Sequence, residues 1–186
     1  YFNLYKKIIG VTGTIGSADN EDLLKEGYNV NIFKVPRHYP SRLKTIVKDR
    51  PESISSIYNA VYKEILNEKN KNRPVLIIWD SLNIKNSMVT KDVGYAKLEG
   101  STNLLKPYVY LREFDDNAIK NAGKSGIVTI ATSAAGRGVD IKLSEEALEA
   151  GGLHVIIPMR MSNQRSLEQA AGRSGRQGQP GSVTFY

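Results

Sequence analysis

Short runs of apolar, β-branched residues alternate along this chain with stretches whose apolar residues recur at helical spacing. The short runs predict strands at residues 8–13, 30–35, 75–79, 108–111, 127–132, 153–158 and 182–186. Helical spacing predicts helices at residues 53–70, 115–122 and 162–171, the last ending at Gly172. Residues 81–106 have poor periodicity and predict no regular element.

Strands that alternate with helices predict crossover connections, and therefore a mostly parallel sheet with helices on both faces. The predicted fold class is α/β, a three-layer sandwich. Because ligands of such sheets bind beyond the carboxyl ends of the strands, we expect the functional loops there. The loops after Thr132 and before Ser182 are the ones to consider.

The composition excludes several kinds of chemistry. The chain has 186 residues, enough for one domain, and it has no cysteine, which excludes disulfides, a zinc–thiolate cluster and a thiol nucleophile. Its two histidines, His38 and His154, lie far apart, so no metal site is predicted. No apolar run is long enough to cross a bilayer and no secretory leader is visible, so we expect a cytoplasmic protein, with peripheral membrane attachment left open.

The net charge of +7 would suit nucleic acid, anionic lipid or an acidic partner. We find no dense basic run and no interleaving of basic with aromatic residues, so scattered cations on solvated faces are the favoured interpretation. The first residue is Tyr1 rather than Met, which predicts a fragment of a longer chain, although a processed terminus would look the same.

The strongest chemical signal is the run QAAGRSGRQG at residues 169–178. If the preceding helix continued through it, Arg173 and Arg176 would lie about one turn apart and face the same way. Gly172 and Gly175 would let another surface approach closely. Arginine binds phosphate oxygens through a planar fork that stays charged, so this run predicts a phosphate contact. The alternative is a basic helix end that complements its own dipole.

A second signal is the run TIATSAAGRGVDI at residues 129–141. A predicted buried strand ends at Thr132 and is followed by small residues that allow close backbone contact with a ligand or a neighbouring lobe. Asp140, just beyond, could accept hydrogen bonds from a ribose hydroxyl or orient an arginine. Alone, this pattern has moderate specificity, since glycine turns that end in aspartate are common.

Gly123-Lys124-Ser125 imitates the end of a phosphate-binding loop. The full pattern requires a glycine where Ala118 stands and should follow a strand, whereas this tripeptide precedes one. We interpret it as a turn. The chain contains neither a phosphate loop nor a DExx acid, so we expect it not to hydrolyse ATP by itself.

Together, the two arginine-containing runs resemble motifs V and VI of superfamily 2 helicase-type motors. Other segments are similar to the SecA family of preprotein translocase ATPases: LYKKIIGVTGT at 4–14, RPVLIIWDSLNIKNS at 73–87, GLHVI at 152–156 and the QGxPG ending at 177–181. The resemblance covers most of the chain and is strongest from residue 126 onward. It implies a RecA-like lobe spanning residues 1–186, a P-loop NTPase fold that lacks its own P-loop, with residues 1–14 forming the junction from a preceding lobe.

The resemblance further implies a motor of two RecA-like lobes with ATP bound between them. The first lobe, absent here, would supply the phosphate loop and hold Mg²⁺. Arg173 and Arg176 would reach the γ-phosphate as arginine fingers. A further set would contact the nucleotide or report its state: Asp140, Arg137, Gly136, Gly138 and Gln169. The full-length protein would then be an ATPase whose partners are the first lobe, a preprotein and a membrane channel.

This chain departs from the SecA pattern at three places. Ala171 replaces an arginine, Ile84-Lys85 lacks the glutamate of motif IV, and the 112–126 segment lacks a histidine. Two alternatives stay open: the C-terminal lobe of a superfamily 2 nucleic-acid helicase, and a non-catalytic interaction module of the same fold. A nucleic-acid partner is disfavoured because motif IV shows no obvious backbone-binding residues. Steeply salt-dependent binding to single strands would identify a helicase.

Overall fold

The computed structural model describes residues 4–79, 108–110, 116–132 and 140–186. The six strands within these ranges are β1 Arg42–Val47, β2 Val75–Trp79, β3 Tyr108–Tyr110, β4 Val128–Thr132, β5 Leu153–Ile157 and β6 Pro180–Phe185. The α-helices are α1 Ala18–Tyr28, α2 Ile54–Asn70, α3 Asp116–Ala122, α4 Glu145–Glu149 and α5 Gln164–Ala171. A 3₁₀ turn spans Arg176–Gly178.

The six strands form one sheet in the order β1-β6-β5-β2-β4-β3, and every neighbouring pair runs parallel. The strands β2, β4 and β5 are buried at every position, as expected for central strands covered on both faces. The predicted parallel α/β sheet is therefore confirmed. The strand β6 lies between β1 and β5, so the first strand of the sheet pairs with a strand from the opposite end of the chain.

Helix α2 covers one face of the sheet. Its apolar residues Ile57, Val61 and Ile65 recur at intervals of four, which places them on one side of the helix. They pack with Val75 and Ile156 of the sheet in one buried cluster. Ser53 begins the helix, because its side chain accepts a hydrogen bond from the backbone N–H of Ser56 at 3.1 Å.

The opposite face is covered by helices α3 and α5. Ala118 of α3 and Ala170 of α5 are buried in a second cluster with Leu76, Val155 and Val183 of the sheet. The small side chains let both helices lie close to the strands. Helices thus cover both faces, which completes the predicted three-layer arrangement.

The N-terminal part of the chain differs from its prediction. Residues 8–13 and 30–35 were expected to form strands, and both predictions are wrong, since neither segment has regular structure. Ile9 and Phe33 are 92% and 85% exposed, because no strand among the described residues pairs with these β-prone runs. The sheet instead begins at β1, which the sequence pattern did not predict. Helices α1 and α4 were also missed. The segment 80–107 and Leu111 lie outside the described residues.

Candidate functional site

The helix that precedes the arginine residues ends before it reaches them. Asn163 caps its start by accepting from the backbone N–H of Ser166 at 2.8 Å. Gly172 ends the helix, with its N–H bonded to the carbonyl of Glu168 at 2.8 Å. The predicted end at Gly172 is confirmed. A helix that continued through Arg173 is excluded, so helical spacing does not align the two guanidinium groups.

Residues 172–178, here called the arginine loop, are shaped by left-handed backbone conformations. Gly175, Gln177 and Gly178 have φ values of 66°, 51° and 74°. A Cβ on Gly175 would lie 2.8 Å from the Cβ of Leu43, and one on Gly178 would lie 2.8 Å from the Cβ of Tyr39. Gly175 therefore packs against the N-terminal part of the same chain, and so does Gly178.

The arginine loop lies at the amino ends of the strands. Ser174 is buried, and its hydroxyl donates to the carbonyl of Leu153, the first residue of β5, at 2.6 Å. A Cβ on Gly181, near the start of β6, would meet the Ser174 Oγ at 2.0 Å. The expectation that this loop lies at the carboxyl ends of the strands is wrong, because the loop leads into β6 and contacts the beginning of β5.

The structure brings Asp140 and Arg176 together, although they are 36 positions apart. The Nη1 of Arg176 lies 2.7 Å from the Oδ1 of Asp140, and its Nε donates to the carbonyl of Gly172 at 2.9 Å. The guanidinium plane is thereby held at two points. The pair stays accessible, with 36% of the Arg176 side chain and 57% of the Asp140 side chain exposed.

The other predicted site residues divide into two groups. Arg173 lies half-buried in the arginine loop, three positions before Arg176, and Gln169 lies half-buried on α5. Gly136, Arg137 and Gly138 lie outside the described residues. Within the described ranges, no group of three or more histidine, aspartate or glutamate side chains is placed to hold a metal ion.

Gly123, Lys124 and Ser125 form a turn between α3 and β4, as predicted. A Cβ on Gly123 would lie 1.9 Å from the carbonyl oxygen of Lys142, so this glycine permits close packing of two chain segments. The Ser125 hydroxyl donates to the backbone carbonyl of Asn72 at 2.9 Å. These contacts account for the tripeptide without a phosphate.

A short N-terminal segment packs on the outer side of α5. The Thr14 hydroxyl bonds to the carboxylate of Glu168, and Arg165 donates to the Thr12 hydroxyl at 3.2 Å. Gly16, with a φ of 99°, would place a Cβ 3.5 Å from the Cβ of Arg165. Residues 12–16 therefore contact the helix that leads into the arginine loop, a proximity that sequence spacing could not indicate.

A buried carboxylate that the sequence analysis missed, Glu64, lies on the side of α2 that faces the sheet. The Oε1 of Glu64 accepts from Thr184 at 2.6 Å and from His154 at 2.8 Å. Its Oε2 accepts from Lys48 at 2.7 Å and from Tyr186 at 2.5 Å. Burial raises the pKa of Glu64, but the four hydrogen bonds outweigh burial and bring that pKa down to about 2. Burial, followed by the bond to Glu64, raises the pKa of Tyr186 well above its usual range.

A continuous series of hydrogen bonds joins Ser182, His154 and Glu64. The Ser182 Oγ lies 2.6 Å from the Nδ1 of His154 and accepts from Arg73 at 2.9 Å. Because the Glu64 carboxylate can only accept hydrogen bonds, the Nε2 of His154 donates to it. His154 is 1% exposed and Ser182 4%, which seals the series from any substrate. Its role is to join α2 to β5 and β6.

The family model described as "SecA P-loop domain" matches residues 51–150 and 143–186 of the chain, which together are well over half of it.

The chain belongs to this SecA family.

Curated SecA relatives align with the whole chain. The protein translocase subunit SecA of Phocaeicola vulgatus is 38% identical over 186 residues, and that of Maridesulfovibrio salexigens is 38% identical over 191 residues. Both alignments cover all of this chain, but only 16% and 21% of the respective relatives. The chain thus spans about a fifth or less of the length of these SecA proteins. Residues 1–50, which the family model does not match, are included in both alignments.

A solved structure identifies the fold of this chain. The Escherichia coli DEAD-box protein SrmB, determined in a complex with the regulator of ribonuclease activity A, superposes with a TM-score of 0.50. The superposition covers 80% of this chain and 78% of SrmB at 17% identity, which supports a shared RecA-like fold and nothing further. Among the described helices, none has the length and apolarity that crossing a bilayer requires.

Proposed function

We propose that this chain is the second RecA-like lobe of an ATP-driven, SecA-type protein translocase. In this proposal it closes an ATP site whose phosphate loop and Mg²⁺ are held by a first lobe. Residues 1–186 form the second lobe, and residues 1–14 are the junction from the first. Arg173 and Arg176 act on the γ-phosphate as arginine fingers. The remaining nucleotide-facing residues are Asp140, Arg137, Gly136, Gly138 and Gln169.

The observation that carries the proposal is the ion pair between Asp140 and Arg176. It joins the two arginine-containing runs at one accessible point, with the Oδ1 and Nη1 atoms 2.7 Å apart. A guanidinium held by a carboxylate on one nitrogen and a carbonyl on another is oriented before any ligand binds. An oriented cation stabilises charge on a transferring phosphoryl group at little cost in reorganisation.

The residues of this chain support an ATP site that is shared between two lobes. The described residues supply arginine and an aspartate, which suit a phosphate contact and its orientation. The GKS tripeptide is a packed turn, and the carboxylates of Glu64 and Glu68 are buried in ion pairs and hydrogen bonds. Preprotein and membrane-channel partners follow, as part of the proposal, from membership of the SecA family.

The proposal is tested in the full-length protein that contains this lobe and the first lobe. We expect Arg176→Ala to reduce the kcat of ATP hydrolysis by about 10³-fold, because an arginine finger acts chiefly in the transition state. Arg173→Ala should also reduce the kcat of ATP hydrolysis, for the same reason. The matched control is Arg50→Ala, which removes an exposed arginine after β1 and should leave kcat unchanged. A normal kcat for Arg176→Ala would refute the arginine-finger role.

A second measurement addresses the divided site. In the isolated chain, calorimetric titration with MgATP should give no micromolar affinity, since the phosphate loop belongs to the first lobe. Addition of the first lobe should restore nucleotide binding. Micromolar affinity in the chain alone would show that it holds a complete site and would contradict the two-lobe proposal.

A further inference from the structure

Strand β1 forms one edge of the sheet. It pairs with β6 from Arg42↔Pro180 to Val47↔Phe185, and the strand order places no neighbour on its other side among the described residues. Five of its six residues are exposed, and Leu43 alone is half-buried. The outer backbone edge of β1 and the five exposed side chains are therefore accessible to another polypeptide.

The chain around β1 is strongly cationic. From residue 37 to residue 50 it contains five cations and a single carboxylate, Asp49. Lys48 is engaged by Glu64. The other four are exposed, and no carboxylate of the described residues lies within ion-pair distance of them: Arg37, Arg42, Lys44 and Arg50. Because side chains alternate along a strand, Arg42 and Lys44 lie on the same face as Lys48.

Apolar side chains accompany these cations. Ile46 is 40% exposed and Val47 is 79% exposed, although both belong to a strand of the sheet. An edge strand with apolar positions and a row of available backbone groups favours an extended polypeptide over a nucleic acid, which would use the cations alone. A second copy of the chain would bring Arg42 and Lys44 against their equivalents, and like charges placed opposite each other are destabilising.

We propose that β1 is a docking edge for an extended, acidic segment of a partner protein, which adds to the sheet as a seventh strand. Backbone hydrogen bonds to β1 supply the affinity. Acidic side chains at alternate positions of the partner meet Arg42 and Lys44, and small apolar side chains meet Ile46 and Val47.

The probe is a fluorescent ten-residue peptide that alternates glutamate with threonine or valine. Three comparison ligands are a peptide of the same charge with proline at alternate positions, a peptide with lysine in place of glutamate, and a single-stranded RNA of equal charge. Binding is followed by fluorescence anisotropy, and pairing by amide hydrogen exchange of β1. The test variant is the double substitution R42E/K44E. Its matched control is K63E/K124E, which makes the same charge change at exposed positions away from β1.

We expect the acidic peptide to bind and to slow exchange of β1 amides, whereas the proline and lysine peptides should not bind. R42E/K44E should weaken binding about tenfold or more, since attraction becomes repulsion at two positions. K63E/K124E should leave the affinity within about twofold. Three results would overturn the proposal: no binding of the acidic peptide, equal binding of the proline peptide, or RNA binding that competes without protecting β1 amides. None of these results bears on the arginine residues of the ATP site.

Discussion

The N-terminal region, residues 4–54, and the remainder of the described chain bury their apolar residues very differently. Every large hydrophobic side chain that the structure describes as exposed lies between Leu4 and Ile54. From Ile57 onward, strands β2, β4 and β5 are buried at every position. The residue types are similar in both regions, so hydrophobicity alone does not decide burial. The two regions differ in what packs on them. Helices α2, α3 and α5 pack on the central strands, whereas none of the described elements gives comparable cover to residues 4–47.

The N-terminal region is held to the rest by a few specific contacts. Its strand β1 pairs with β6, Leu43 packs on Gly175, and the ion pair of Lys48 with Glu64 joins it to α2. Thr14 adds a hydrogen bond to α5. We therefore expect the free energy of unfolding to depend mainly on the central sheet. The attachment of the N-terminal region should depend on these few contacts.

The largest effect is expected from a matched pair of isoleucine substitutions. Ile65→Ala removes a side chain with 0% exposure and should lower the free energy of unfolding by about 4 kcal/mol, because it leaves a cavity between α2 and the sheet. Ile9→Ala, at 92% exposure, should change it by about 0.5 kcal/mol or less. Urea denaturation measures both. Similar losses from the two variants would contradict the contrast between the regions.

Glu64→Gln should lower the free energy of unfolding by somewhat less, about 3 kcal/mol. The reason is that it removes the negative charge to which four donors bond. The folded pKa of about 2 lies below the ordinary value of 4.5, so the linked stability is complete above pH 4.5. It is lost as the pH falls from 4.5 towards 2. The difference between wild type and variant should therefore shrink over that range. Glu26→Gln, an exposed control on α1, should change the free energy of unfolding by about 0.5 kcal/mol or less. A pH-independent difference for Glu64→Gln would exclude the linkage.

The smallest loss of stability is expected at the contact between Gly175 and Leu43, which joins the two regions. Gly175→Ala should cost about 2 kcal/mol, because Gly175 has a positive φ and its Cβ would meet Leu43 at 2.8 Å. Gly10→Ala is the control, since nothing lies within 4 Å of a Cβ at that position. Equal stability of the two variants, measured by thermal unfolding, would show that Leu43 moves aside freely.

Much of the central sheet could be predicted from sequence. The strands at 75–79, 128–132 and 153–157 are continuous apolar runs, and α2 has apolar residues at helical spacing, so local pattern and tertiary burial agree. The same rule failed at residues 8–13 and 30–35, which have strand-like composition but pair with none of the six described strands. Strand β1 was missed for a different reason: RLKTIV begins with two cations that flank one leucine, and most of its residues are exposed, as they can be in an edge strand.

The candidate site could be predicted by residue type but not by geometry. Glycine at position 172 indicated the helix end, and the glycines at 175 and 178 could have indicated a left-handed loop in place of a helix. The pairing of Asp140 with Arg176 depends on a contact across 36 positions, which no local pattern contains. The Glu64 network was unpredictable for the same reason, since its members come from α2, β5, β6 and the residue after β1.

The position of β6 between β1 and β5 has a consequence for synthesis on the ribosome. Among the described strands, β1 pairs with β6. Arg42 lies opposite Pro180, which is synthesised 138 residues later. Strands β2, β4 and β5 can assemble with α2 as they emerge, whereas β1 must wait until β6 has left the exit tunnel. During that interval Ile46 and Val47 are not paired in the sheet, and we expect the neighbouring cations to reduce aggregation of the nascent chain. We therefore expect the edge strand to join last during folding and to separate first when the protein is pulled or heated.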